Sequence, residues 1–164
     1  MPRVEYYIRW FNRLVRSGHH MRYDLKWMHS VTEEHLDLRF RVLRKGQSRE
    51  SAHYQGIDTD QNTKFLCAFF EDKMVGCATL QLDSREGCKY RIRGMAVEPN
   101  FRNQGIGTKI VMELQEYAKK EVTGIWCNAR IKAIKMYERC GFKIISEVFE
   151  IKPIGLHYDM EWKS

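Results

Sequence analysis

The sequence lacks the features that place a protein in a membrane or outside the cell. No apolar run approaches the ~20 residues that a membrane-spanning helix needs, and there is no signal peptide with a cleavage site. The five cysteines are scattered and form no Cys-x-x-Cys pair. We therefore expect a cytoplasmic protein with reduced thiols and neither a disulfide framework nor a metal site. The cysteines are Cys67, Cys77, Cys88, Cys127 and Cys140.

Two familiar phosphate-binding motifs are also missing from the glycine-containing segment 91–109. A P-loop requires Gly-Lys-Ser/Thr, but Thr108 stands between Gly107 and Lys109. A dinucleotide-binding fingerprint requires a third Gly or Ala three residues after Gly107, where this chain has Ile110. The sequence therefore disfavours both of these nucleotide-binding folds.

The segment does contain Arg102-x-x-Gly105-x-Gly107, placed between a strand-like run and an amphipathic helix predicted over 108–119. The N–H groups at a helix start have no partner within the helix, and the helix dipole makes this end positive. Glycines let the backbone approach a phosphate closely. The order predicts an anion-binding loop, and a ligand-free glycine turn that caps the helix is the alternative interpretation.

Length and charge predict one globular domain, residues 21–164, after a basic amphipathic extension at residues 1–20. The extension has apolar residues at helical spacing with arginines between them. Three interpretations are open: a helix that packs on its own domain or on a second subunit, an arm for a membrane surface or nucleic acid, and an extension without a role. The net charge of +7 suits an anionic ligand or partner and does not say which one.

Periodicity and turn residues predict an α/β chain in the order β, α, β, β, β, α, β, α, β, β. Thr32 or Ser30 can cap a first helix that begins at Glu33 and is ended by Gly46. The polar stretch 47–63 has no clear period, so we expect a loop or broken helix suited to substrate contacts. The other predicted elements are strands within 22–31, 64–70, 74–82, 89–97, 124–128, 142–151 and 156–162, and a helix over 130–140.

A second motif follows the loop by about 20 residues, starting at Asn128. Ala133 and Tyr137 are four residues apart, so they share one helix face, and the small alanine leaves room for a ligand beside the tyrosine. Gly141 and Phe142 end the helix and start a strand.

Together, the two motifs resemble the signatures of the GNAT superfamily of acetyl-CoA-dependent N-acyltransferases, Arg/Gln-x-x-Gly-x-Gly/Ala and Asn-x-x-Ala-x-x-x-Tyr-x-x-x-Gly-Phe. The resemblance covers roughly residues 25–163. The chain is also similar to a bacterial branch of small GNAT proteins. It departs from the pattern where Arg130 stands three residues before Ala133, with Asn128 two residues earlier. The resemblance implies a mixed, mostly antiparallel central sheet flanked by helices.

The resemblance also implies a site for acetyl-CoA as cosubstrate. Main chain at the end of the strand before the loop would bind pantetheine, and loop amides would bind the pyrophosphate. An N–H group such as that of Val97 would stabilise the oxyanion, and Tyr137 would protonate the departing thiolate. The implied cofactor-binding residues are Met95, Ala96, Val97, Arg102, Asn103, Gln104, Gly105, Ile106, Gly107, Thr108, Asn128, Ala133 and Tyr137.

The general base stays open at this stage. Some relatives use a glutamate early in the strand before the loop, where this chain has Arg91. We choose His157, because a neutral imidazole suits amine deprotonation near pH 7. Glu150, Glu71, Asp58 and relay through water are the alternatives, and a merely hydrogen-bonded strand histidine is the alternative role for His157.

The function that the resemblance implies is acetyl transfer to a primary amine of a small molecule or protein by direct attack. A non-catalytic CoA-binding or interaction domain is the first alternative. Nucleic-acid binding is not expected, because the arginines lack the stacking aromatics of a single-strand reader. The predicted partners are acetyl-CoA, the amine acceptor and, through the extension, a second copy of the chain.

Overall fold

The computed structural model describes residues 22–164, so the extension predicted at residues 1–20 lies outside the described residues. The eight described strands form one sheet in the order β1-β2-β3-β4-β5-β8-β6, with β7 also paired to β8. Of these pairs, β4 with β5 is parallel and the rest are antiparallel. This confirms the predicted fold class. The strands are β1 (Asp24–Met28), β2 (Lys64–Phe70), β3 (Lys73–Arg85), β4 (Cys88–Val97), β5 (Gly124–Arg130), β6 (Lys143–Ile144), β7 (Phe149–Ile151) and β8 (Gly155–Trp162), and the α-helices are α1 (Glu33–Leu43), α2 (Ile106–Lys120) and α3 (Ile134–Arg139).

Helices cover both faces of the sheet, and β2 shows this because nearly all of its side chains are buried. Leu66 packs in the larger cluster beneath the apolar stripe of α2, whereas Cys67 packs in a second cluster with Leu38 of α1. Leu114 and the other large apolar residues of the α2 stripe are fully buried, and burial of each such side chain stabilises the folded state by about 1.5–3 kcal/mol. The alternation along β2 therefore fixes α1 and α2 on opposite faces.

A buried ion pair holds the irregular segment 47–63 against α1. Arg39 donates to both carboxylate oxygens of Asp58, at 2.7 and 3.0 Å, and also to the carbonyl of Ala52 and the hydroxyl of Thr79. Both side chains of the pair are essentially inaccessible. Regular structure in this segment is limited to a short 3₁₀ turn at Arg49–Ala52, so the predicted irregularity is confirmed. The ion pair that holds the segment in place was not predicted from the sequence.

The two parallel strands separate before the end of β4. β4 and β5 pair from Cys88 with Gly124 as far as Ile92 with Cys127, and no later pair forms between them. β4 also contains a bulge, because Thr79 pairs with Arg93 but Cys77 pairs with Ala96. Gly94, at the bulge, has φ of +56°, a conformation that favours glycine. The bulge explains why Ile92 and Met95 pack on the same side of the sheet.

Two predicted boundaries after β5 are wrong. The helix expected to start at Arg130 begins at Ile134, because Arg130 still pairs with His157 of β8 and a 3₁₀ turn (Ile131–Ala133) follows. The strand expected over 142–151 is divided into β6 and β7. The interruption has a physical cause, because the backbone N–H of Asp159 donates to the hydroxyl of Ser146, at 2.8 Å, instead of to a strand partner.

Candidate active site

A cavity of about 260 Å³ opens where β4 and β5 diverge. Its walls come from β4, β5, the start of α3, the end of α1, the segment 47–63 and the β7–β8 hairpin. The site residues predicted from the sequence that line it are Met95, Asn128, Ala133, Tyr137 and His157.

The end of β4 directs backbone polar groups into the gap between the strands. The N–H of Glu98 donates to the carbonyl of Val75 on β3 at 2.8 Å. Because N–H groups alternate along a strand, the N–H of Val97 points to the opposite edge, which β5 has left. The N–H of Val97 therefore faces the gap between β4 and β5. Ala96, in contrast, pairs with Cys77 and has a buried side chain.

The glycine loop lies beside this gap and leads into α2. Its residues Arg102, Asn103, Gln104 and Gly105 are exposed, and Gly105 has φ of +79°. The first bond of the helix ladder runs from Lys109 N–H to Gly105 O at 3.0 Å. The N–H groups of Ile106, Gly107 and Thr108 consequently precede the ladder and have no acceptor within the helix. This is the arrangement in which a helix start binds a phosphate.

Tyr137 reaches the cavity from α3 and is almost completely buried. Its ring packs edge-on against Phe142 with centroids 5.2 Å apart, and its hydroxyl interacts with the thiol of Cys127. Burial, followed by the influence of Cys127, raises the pKa of Tyr137 well above its ordinary value. The hydroxyl is therefore protonated at neutral pH and can act as a donor.

His157 reaches the same cavity from β8. Its Nδ1 lies 2.7 Å from the carbonyl of Gly155, and its ring stacks on Phe149. A carbonyl only accepts, so Nδ1 carries the proton and Nε2 keeps its lone pair in the neutral ring. Burial, together with the charge of Arg130, lowers the pKa of His157 below 6.5, so the ring is neutral at pH 7.

The other three candidate bases do not line the cavity. Asp58 is engaged by Arg39, Glu71 lies exposed in the β2–β3 turn, and Glu150 is exposed on β7. Among the predicted bases, the structure therefore brings His157 alone to Tyr137.

The amide of Asn128 is occupied by protein groups. Its oxygen accepts from Arg91 and its nitrogen donates to Asp159 at 2.5 Å. Both polar atoms of the Asn128 amide therefore have charged protein groups as partners.

Sequence reasoning missed a concentration of arginines in the cavity wall, contributed by α1, β4 and β5. The alternation of Arg91 and Arg93 along β4 was a usable signal, because residues two apart on a strand share a face. The cavity arginines are Arg44, Arg91, Arg93 and Arg130.

Searches of residues 22–164 found no group of His, Cys, Asp and Glu side chains suited to a metal ion. Within the same residues, no helix is both long and apolar enough to cross a membrane.

Sequence comparison identifies related proteins. The profile of the Acetyltransferase (GNAT) family matches residues 26–142, more than half of the chain. YitI of Bacillus subtilis, an uncharacterized N-acetyltransferase, is 31% identical over 133 residues that span 78% of this chain and 89% of YitI.

Solved structures share the fold. An acyl-CoA N-acyltransferase from Pseudomonas aeruginosa superposes with a TM-score of 0.68 at 22% identity, covering 85% of this chain and 99% of that one. A Bacillus subtilis acetyltransferase in complex with CoA gives a TM-score of 0.63 at 18% identity, covering 87% and 99%.

Proposed function

Since this chain belongs to the Acetyltransferase (GNAT) family and is an acyl-CoA N-acyltransferase, we propose that it transfers the acetyl group of acetyl-CoA directly to a primary amine. The observation that carries the proposal is the divergence of β4 from β5 beside a helix start whose first amides have no acceptor within the helix. A gap between strands suits the pantetheine arm, and the adjoining amides suit a diphosphate.

The chain would contribute binding groups at three points along the cosubstrate. Main chain of Met95 and Val97 borders the gap for pantetheine. Amides from Asn103 to Thr108, with the Arg102 side chain beside them, would bind the pyrophosphate, whereas the Arg102 amide donates to the carbonyl of Pro99 at 3.4 Å. Tyr137 and the small side chain of Ala133 line the cavity where the thioester would lie.

The reaction makes one C–N bond, breaks one C–S bond and involves two proton transfers. The neutral amine attacks the carbonyl carbon, and the Val97 N–H would stabilise the oxyanion that forms. As the C–S bond breaks, the Tyr137 hydroxyl would donate to the departing sulfur. His157 Nε2 is the proposed acceptor for the proton that the amine loses, so the products are an amide and the CoA thiol. Return of a proton from His157 to the Tyr137 oxygen through solvent would restore both residues.

Thiol release from acetyl-CoA with a panel of amines tests this proposal. Tyr137→Phe should lower kcat by about 100-fold or more, the usual contribution of a general acid, while the Kd for CoA measured by calorimetry changes little. Tyr158→Phe is a matched control, because Tyr158 is partly buried on β8 and does not line the cavity. Folded protein that neither binds CoA nor releases thiol with any amine would refute the proposal.

A further inference from the structure

Four arginines from three separate segments face one cavity. Arg44 follows α1, Arg91 and Arg93 lie two residues apart on β4, and Arg130 ends β5. We call these four residues the arginine cluster. They border the end of the cavity formed by α1, Tyr54 and His157, and the glycine loop is not part of its lining.

Single neutral acceptors hold three of these guanidinium groups in place. Arg93 Nε donates to Gln81 at 2.5 Å, Arg44 Nε to the carbonyl of Ser51 at 3.2 Å, and Arg130 Nη2 to the carbonyl of Leu43 at 2.9 Å. Within residues 22–164, the terminal nitrogens of Arg93 and of Arg44 make no hydrogen bond. The anchored side chains therefore present free donors at fixed positions.

Charge in the cluster is poorly compensated by the protein. Asp83 lies 3.2 Å from Arg91, and it is the single carboxylate paired with the cluster among residues 22–164. Asp159 is paired with Arg85 at 2.5 Å. Four guanidinium groups against one carboxylate leave an excess of 4 − 1 = 3 positive charges. Burial and the neighbouring arginines lower the pKa of Arg93 and of Arg130, the direction expected for crowded like charges.

Crowding of like charges in a partly buried wall opposes folding unless a ligand compensates it. The protein also leaves Nε of Arg91 buried without a partner in the described residues, which adds to the polar groups of the wall that are not compensated. Guanidinium groups recognise carboxylates and phosphates through paired hydrogen bonds.

We propose that the arginine cluster binds an anionic group of the acceptor, so that the substrate is a small amine that also carries a carboxylate or a phosphate. This inference rests on the proposed function, and it adds the class of acceptor. A cavity of about 260 Å³ is near the lower end of ligand pockets, about 300–1,000 Å³, which favours a small molecule. Polycationic amines are disfavoured, because the same field repels them.

Matched acceptors that differ in charge test the proposal. L-methionine is compared with L-methioninamide, phosphoethanolamine with ethanolamine, and spermidine represents a polycation, all by kcat/KM for thiol release. The amide and ethanolamine arms retain a primary amine and lack the anion. We expect the anionic member of at least one pair to be preferred at least tenfold, and the pair that discriminates identifies carboxylate or phosphate.

Two variants link the preference to the cluster. Arg93→Gln and, independently, Arg130→Gln should reduce kcat/KM for the anionic acceptor about 10- to 100-fold, the range expected for hydrogen bonds between charged groups. The uncharged partner should be affected much less. Arg139→Gln, an exposed arginine on α3 outside the cavity, is the matched control. Preference for uncharged amines or spermidine, or an unchanged preference in both folded variants, would overturn the proposal.

Calorimetry separates failure of this proposal from failure of the proposed function. Malonate and inorganic phosphate are titrated into the full chain with and without CoA, in the wild type and Arg93→Gln. If no amine in the panel is acetylated, anion binding that weakens at least tenfold in the variant supports the cluster. Absent or unchanged anion binding then refutes it, whereas loss of CoA binding alone counts against the proposed function.

Discussion

The substitution Gly107→Ala separates the stability of the glycine loop from its proposed role in binding. Gly107 lies in the first turn of α2 and does not adopt a positive φ. A Cβ atom there would meet Val97 Cγ2 at 3.8 Å and Met136 Cε at 3.9 Å, both ordinary van der Waals distances. The protein itself therefore has room for the methyl group.

Alanine should even stabilise the folded state. Replacing glycine by alanine within a helix contributes about 0.5–1 kcal/mol, and for a domain of this size that corresponds to a Tm increase of about 1–4 °C. Binding should change in the opposite direction. The new methyl would lie between β4 and α3 at the mouth of the gap, where a diphosphate must approach the backbone closely. We expect the Kd for CoA to increase at least tenfold, or about 1.4 kcal/mol.

Thermal unfolding and calorimetry with CoA measure the two effects on the same samples. Met112→Ala is the control, because Met112 is exposed on the same helix, and it should leave the Kd for CoA unchanged. A Gly107→Ala protein that binds CoA like the wild type would show that the diphosphate does not contact these amides. A lower Tm would show that the folded protein does not accommodate a methyl group at position 107.

Three further predictions concern buried polar groups. Arg39→Met should destabilise the protein by about 3–5 kcal/mol in urea unfolding, because it leaves Asp58 buried without its ion-pair partner, and Asp58→Leu in the same chain should restore part of that loss. Burial lowers the pKa of His35 in the folded protein to about 3. As the pH falls, this histidine is therefore protonated in the unfolded chain at a higher pH than in the folded protein. Stability should then decrease between pH 6.5 and about 3 by up to ~1.4 kcal/mol per pH unit, and His35→Gln should flatten this decrease. Burial also lowers the pKa of His157, so the loss of kcat/KM that comes from protonating this base should begin at a lower pH than for an ordinary histidine. A pH profile unchanged by His157→Gln would exclude this histidine as the base.

Much of the fold could be predicted because its signals are local. The hairpin between β2 and β3, the cap at Thr32 and the glycine before α2 each depend on a few neighbouring residues. Periodicity located α2 because its buried residues recur on one face. The resemblance then supplied the mixed, mostly antiparallel character of the central sheet, which no local pattern contains.

Features that depend on contacts distant in sequence could not be predicted. The bulge at Gly94 reverses which side of the sheet each later residue faces, and it is visible only against the partner strand β3. In the sequence, Arg39 is an ordinary polar position on a helix. The fold places Asp58, which lies 19 residues later, beside it. The arginine cluster likewise required α1, β4 and β5 to be brought together.

The parallel pairing of β4 with β5 has a mechanical consequence. Among the described strands it is the sole backbone pairing between two half-sheets, β1 to β4 and β5 to β8, and it consists of four residue pairs. A molecule bound beyond the last of those pairs would contact both half-sheets and stabilise their association. Amide hydrogen exchange should therefore slow in both half-sheets when a ligand occupies the gap between β4 and β5, even in strands that do not contact the ligand.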